Sequence, residues 1–101
     1  MADVRTAQEV ELRGLEGTTL ATVVSVGTSA TALPSSILTN RKTVILRNVG
    51  TADVFLGGSG VTTSSGLPLE ADDVLTVDLA TAAIYGIVAS GTNNVAVLEV
   101  S

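Results

Sequence analysis

The chain has 101 residues, the length of one domain, and a formal net charge of −5. Nucleic-acid binding relies on basic patches, and no Lys or Arg follows Arg47, so a nucleic-acid partner is disfavoured. The absence of Cys and His removes disulfides, thiol catalysis and most zinc sites, and we expect no cofactor and no enzymatic activity.

Residues 1–16 differ from the rest of the chain because they hold six of its fifteen charged residues. We interpret them as an extended or partly helical N-terminal arm that lies on a neighbouring subunit; a frayed terminus is the alternative. The segment is too charged for a signal peptide, and no run in the chain reaches the roughly 18 apolar residues of a membrane span. The candidate interface residues of the arm are Val4, Val10, Leu12 and Leu15.

Short β-branched runs bounded by Gly, Asn and Asp fill the remainder, residues 17–101. Such runs are typical of all-β sandwiches and barrels. We therefore predict a compact antiparallel β-sandwich that begins after the arm. The predicted strands are 18–26, 42–49, 52–57, 73–79, 82–89 and 94–100.

The first predicted strand is apolar on both faces, with Leu20 and Val24 on one and Ala21 and Val23 on the other. No charged residue occurs between positions 17 and 40. Free strand edges are usually protected by charge or proline, so an unprotected apolar strand indicates a covering partner. We expect a homo-oligomer or a place in an assembly, and we include Leu20 and Val24 in the candidate interface.

Three of the five basic residues cluster at Arg41, Lys42 and Arg47. By the period of two in a strand, Arg41 and Arg47 share one face. They could bind an acidic partner surface or pair with the chain's own carboxylates; a solvated or edge-protecting set is the alternative. All three are candidate interface residues.

No stretch of the chain has the pattern of a catalytic or metal site. The acidic residues around Asp72 and Asp73 lack the Asp-x-Asp-x-Asp/Asn-Gly spacing of a calcium loop, which favours a turn into the next strand. A Ser nucleophile would lack a His base. The sequence after Gly57-Gly58-Ser59-Gly60 is strand-like, so a phosphate-binding loop, which needs a following helix, is disfavoured.

Residues 41–99 contain the runs RKTVILRNVG (41–50), VFLGGSGVT (54–62), SGLPL (65–69), IYGI (84–87) and VAVLE (95–99). In these runs the chain resembles small structural proteins of tailed-bacteriophage virions, chiefly capsid decoration (cement) proteins. The resemblance implies a jelly-roll-like sandwich without catalytic residues. It also implies that copies, with a trimer favoured, bind the major capsid protein on the outside of the head after assembly in the host cytoplasm. A head-fibre, neck or tail protein, and a receptor- or carbohydrate-binding module, are the alternatives.

Overall fold

A computed structural model describes residues 17–101, and every regular element within that range is a β-strand. Each of the six predicted strands is present, with bounds that differ by up to three residues. Two further short strands, β2 and β5, were not predicted. The strands are β1 (Thr19–Val26), β2 (Thr31–Ala32), β3 (Thr43–Asn48), β4 (Val54–Gly57), β5 (Leu67–Leu69), β6 (Val74–Val77), β7 (Tyr85–Ile87) and β8 (Asn93–Val100).

The strands form two four-stranded antiparallel sheets. Sheet I has the order β1-β8-β3-β6, and sheet II has the order β2-β7-β4-β5. Four of the pairings are nested about the centre of the chain, namely β1–β8, β2–β7, β3–β6 and β4–β5. This is a long hairpin, and the additional β3–β8 and β4–β7 pairings roll it into two layers. The predicted antiparallel sandwich is thus confirmed, with the strand order of a jelly roll.

An aliphatic core lies between the sheets. Alternation along β8 turns its odd-numbered residues inward, where Val95 and Val97 are 0% and 2% exposed. Gly86 on β7 also faces inward, and a Cβ there would lie 3.0 Å from Leu33 and from Val54, so glycine permits this close approach. The buried core cluster comprises Val26, Leu33, Val44, Leu46, Val54, Leu56, Leu69, Val88, Val95 and Val97.

The connection between β4 and β5 differs from the conformation that the sequence predicted for residues 61–63. Residues 61–63 were interpreted as strand-like, but the structure places them in a loop that makes two turns. Val61 N donates to Gly58 O at 3.0 Å, and Gly66 N donates to Thr62 O at 2.9 Å. The side chain of Val61 is only 7% exposed, so its apolar character anchors the loop to the domain.

Candidate functional site

The outer face of sheet I carries an apolar groove of about 350 Å³, which we call the outer groove. It crosses β1, β8 and β3, the three strands that pair side by side in this sheet. Among the described residues that line it, Arg47 is the only charged one. The lining residues are Ala21, Thr22, Val23, Ile45, Arg47, Ala96, Val97 and Leu98.

Strand register produces the groove. Leu98 on β8 lies between Ala21 on β1 and Ile45 on β3, and Ala96 lies between Val23 and Arg47. Directly opposed residues on one face have their Cβ atoms only about 5 Å apart, so small and large side chains alternate in contact. The two alanines leave a depression between the larger aliphatic side chains.

The outer groove exposes aliphatic surface to solvent in this chain. Val23 is 62% exposed and Leu98 is 36% exposed. Antiparallel sheets often present a polar face to water, so a contiguous exposed apolar patch on that face is a candidate interaction site. The prediction that β1 is apolar on both faces therefore agrees with the structure. Val24 and Val26 contact the core side, and Ala21 and Val23 face outward.

Arg41 does not lie on this face, contrary to the strand-period interpretation. It precedes β3 by two residues, and its side chain is completely buried beside Glu99. Its Nη1 lies 3.0 Å from Glu99 Oε2, its Nε donates to Leu79 O at 2.8 Å, and its Nη2 donates to Ala82 O at 2.8 Å. Of the two expected roles, pairing with the chain's own carboxylates holds for Arg41, and its burial removes it from the candidate interface.

The other two basic candidates remain accessible. Arg47 borders the outer groove with a 55% exposed side chain, and its Nη2 lies 3.5 Å from the carboxylate of Asp72. Lys42 is exposed. Charge at the groove therefore comes from Arg47, while Arg41 acts inside the domain.

The remaining predicted interface residues divide into two groups. Leu20 is 44% exposed near the start of β1, whereas Val24 packs against the core. Val4, Val10, Leu12 and Leu15 lie outside the described residues.

The sequence interpretation missed the central part of the groove, Ile45, Ala96 and Leu98. A local signal was present, because the outward positions of residues 94–100 include Ala96, Leu98 and Val100, so that strand is also apolar on both faces.

The acidic residues form a turn. Asp73 N donates to Glu70 O at 2.9 Å, its carboxylate accepts a hydrogen bond from Glu70 N, and Asp72 adopts φ 66°. Asp tolerates this left-handed conformation, which explains its position in the turn. Within residues 17–101, no group of three or more His, Cys, Asp or Glu side chains is placed to hold a metal ion.

No family model, curated protein or solved structure matches this chain. Among the described residues there is no helix long and apolar enough to cross a membrane.

Proposed function

We propose that this chain is a bacteriophage virion structural protein, a decoration protein that binds the outside of the assembled head and bridges neighbouring capsid subunits. The observation that carries the proposal is the outer groove, an exposed apolar sheet face with one charged residue on its border. The resemblance of residues 41–99 to cement proteins supplies the biological setting, and the jelly-roll strand order agrees with it.

The physical requirements of decoration fit these features. A decoration protein needs a rigid domain and a surface that loses water on docking, and it needs no chemistry of its own. Burying apolar area contributes roughly 25 cal/mol per Å², so an aliphatic groove can supply affinity without charge pairing. Copies that also contact one another would distribute outward pressure over several capsid subunits.

Copy number on purified particles is the first test. We expect gel densitometry against the major capsid protein to give a ratio near one to one. A ratio of a few per hundred would instead assign the chain to a head fibre, neck or tail, which are the alternative virion components. Absence from particles would overturn the proposal.

A matched pair of variants tests the groove itself. Leu98→Lys places a charge at its centre, and Val74→Lys places the same charge on the same sheet face but on β6, outside the groove lining. Co-sedimentation with undecorated heads should show at least a tenfold loss of affinity for Leu98→Lys and little change for Val74→Lys. Both variants should retain the far-UV circular dichroism spectrum. Equal affinities for the two variants would exclude the outer groove as the capsid-binding surface.

A receptor- or carbohydrate-binding module is the second candidate, favoured by the position of the two aromatic rings. Phe55 and Tyr85 both face outward from sheet II and are half-buried. Sugar sites often stack on such rings. Glycan-array binding that is lost in Phe55→Ala or Tyr85→Ala, together with absence from particles, would favour this candidate over decoration.

A further inference from the structure

The four sheet edges of the described domain are protected to very different degrees. β2 has two residues, and β5 has three, one of which is Pro68. β6 has four residues, with Asp72 and Asp73 just before it and Asp78 just after. Short length, proline and charge are the features by which sheet edges avoid pairing with other chains.

β1 has none of these protections. It has eight residues, TLATVVSV, without charge, proline or glycine. Within residues 17–101 its only partner strand is β8, and no described strand pairs with its other side. An edge this long, uncharged and β-branched is a template for strand pairing.

The direction of these backbone groups follows from one hydrogen bond. Ser101 N donates to Thr18 O at 2.9 Å, in register with the β1–β8 ladder. Thr18 and every second residue after it thus bond toward β8. The N–H and C=O groups of Thr19, Ala21, Val23 and Ser25 are consequently directed to the open side.

We propose that the open edge of β1 pairs antiparallel with β1 of a second copy, about a two-fold axis at Thr22. This register brings Ala21 opposite Val23, Leu20 opposite Val24, and Thr19 opposite Ser25 of the partner copy. Apolar side chains then face apolar ones on both sides of the sheet, and the open groups form about eight hydrogen bonds. Leu20, which is 44% exposed in one chain, becomes covered.

The distribution of charge favours a second copy of this chain as the partner that pairs with the open edge of β1. The chain is acidic, at −5, so two copies repel unless they meet where charge is absent. Residues 17–40, which include all of β1, contain no charged residue. A two-fold axis perpendicular to the sheet also places both outer grooves on the same side of a continuous eight-stranded sheet. This dimer replaces the trimer that the resemblance implies. The inference otherwise deepens the proposed function and rests on it for the partner, because such a dimer offers a capsid two equivalent docking faces.

Proline substitution tests the edge without altering the groove lining. In Ser25→Pro the lost N–H is one that points away from β8, so the β1–β8 ladder keeps its hydrogen bonds. Thr76→Pro is the matched control. Asn48 N donates to Asp73 O at 3.0 Å, in register with the β3–β6 ladder, so Thr76 N–H points to the open side of β6.

Sedimentation equilibrium of the full chain should give twice the 10.1 kDa chain mass for the unmodified protein and for Thr76→Pro. Ser25→Pro should give the monomer mass with an unchanged circular dichroism spectrum. If Ser25→Pro does not fold, Ser25→Lys and Thr76→Lys replace the pair, since a lysine on each copy also opposes pairing.

Three results would overturn the inference. The unmodified protein could be a monomer, or it could be a trimer, because three copies cannot all pair β1 with β1. A Ser25→Pro protein that stays dimeric would also overturn it. Protection of the Ala21 and Val23 amides from hydrogen exchange in a monomer would identify residues 1–16 as the occupant instead. A dimer that fails to bind particles would refute the decoration role and leave β1 pairing intact.

Discussion

Arg41 and Glu99 form a buried ion pair that joins three segments of the chain. The guanidinium bonds to Glu99 on β8 and to the carbonyls of Leu79 and Ala82 after β6, while Leu38 N donates to Glu99 Oε2 at 3.0 Å. Burying two ions costs several kcal/mol each, and their attraction and hydrogen bonds offset this only in part, since the buried Glu99 Oε1 has no hydrogen-bond partner among the described residues. The pair therefore positions this end of the sandwich more than it adds net stability.

Removing one partner of this pair should destabilise the domain strongly. We expect Arg41→Ala to lower the free energy of unfolding by about 3–5 kcal/mol, because it leaves the Glu99 carboxylate buried without a counter-ion. Urea denaturation measures the loss. The control, Arg47→Ala, removes an exposed arginine whose contact with Asp72 is long, and exposed pairs contribute at most about 1 kcal/mol. Equal losses for the two variants would contradict the burial of Arg41.

At the level of elements, β3 and β8 organise the sandwich through polar residues at both ends. Arg41 and Glu99 lie at one end, and Asn48 and Asn93 lie at the other. Asn48 is fully buried, donates to Ala52 O and Leu69 O, and accepts from Gly50 N and from Asn93 Nδ2 at 2.7 Å. The aliphatic core is enclosed between these two sets, which explains how a core without aromatic rings is held in one register.

The β3–β4 connection should tolerate no side chain at Gly50. A Cβ there would overlap the side-chain amide of Asn93 and force it away from Asn48 and Ala52 N. We expect Gly50→Ala to cost roughly 1–3 kcal/mol for each buried hydrogen bond left unsatisfied, measured by thermal or urea unfolding.

Gly58→Ala is the matched control for this substitution, because a Cβ at Gly58 would meet no described atom within 4 Å apart from those of its chain neighbours. Its stability should stay within about 0.5 kcal/mol of the parent. A Gly50→Ala protein as stable as Gly58→Ala would show that the amide network rearranges without loss.

On the scale of the whole molecule, sheet I carries both candidate contact regions, the outer groove on its face and the open edge of β1. The charged residues of the described domain all follow position 40 in the sequence, so β1 itself carries none of them. With the outer groove for the capsid and the open edge of β1 for a second copy, one small domain could bind both partners at the same time.

Residues 1–16, predicted to be an arm, lie outside the described residues and directly precede Gly17, two residues before β1 begins. We predict that deleting residues 1–16 abolishes binding to particles while the unfolding midpoint of the remaining sandwich stays within a few degrees of the parent. Co-sedimentation and circular dichroism melting measure the two effects. Full occupancy of particles by the truncated protein would contradict a capsid-binding role for the arm.

The sequence by itself determined the all-β class, six of the eight strands and the apolar character of both faces of β1, since these depend on the local period of two and on turn residues. β2 and β5 were missed because runs of two and three residues carry no readable period.

Local sequence patterns also could not predict which strands are neighbours in the sheets. The outer groove exists because Leu98 pairs with both Ala21 and Ile45, residues far apart in the chain. The burial of Arg41 likewise depends on a Glu99 carboxylate 58 residues away. Only the tertiary structure decides such features, because they arise from long-range pairing of strands and not from the pattern within any one strand.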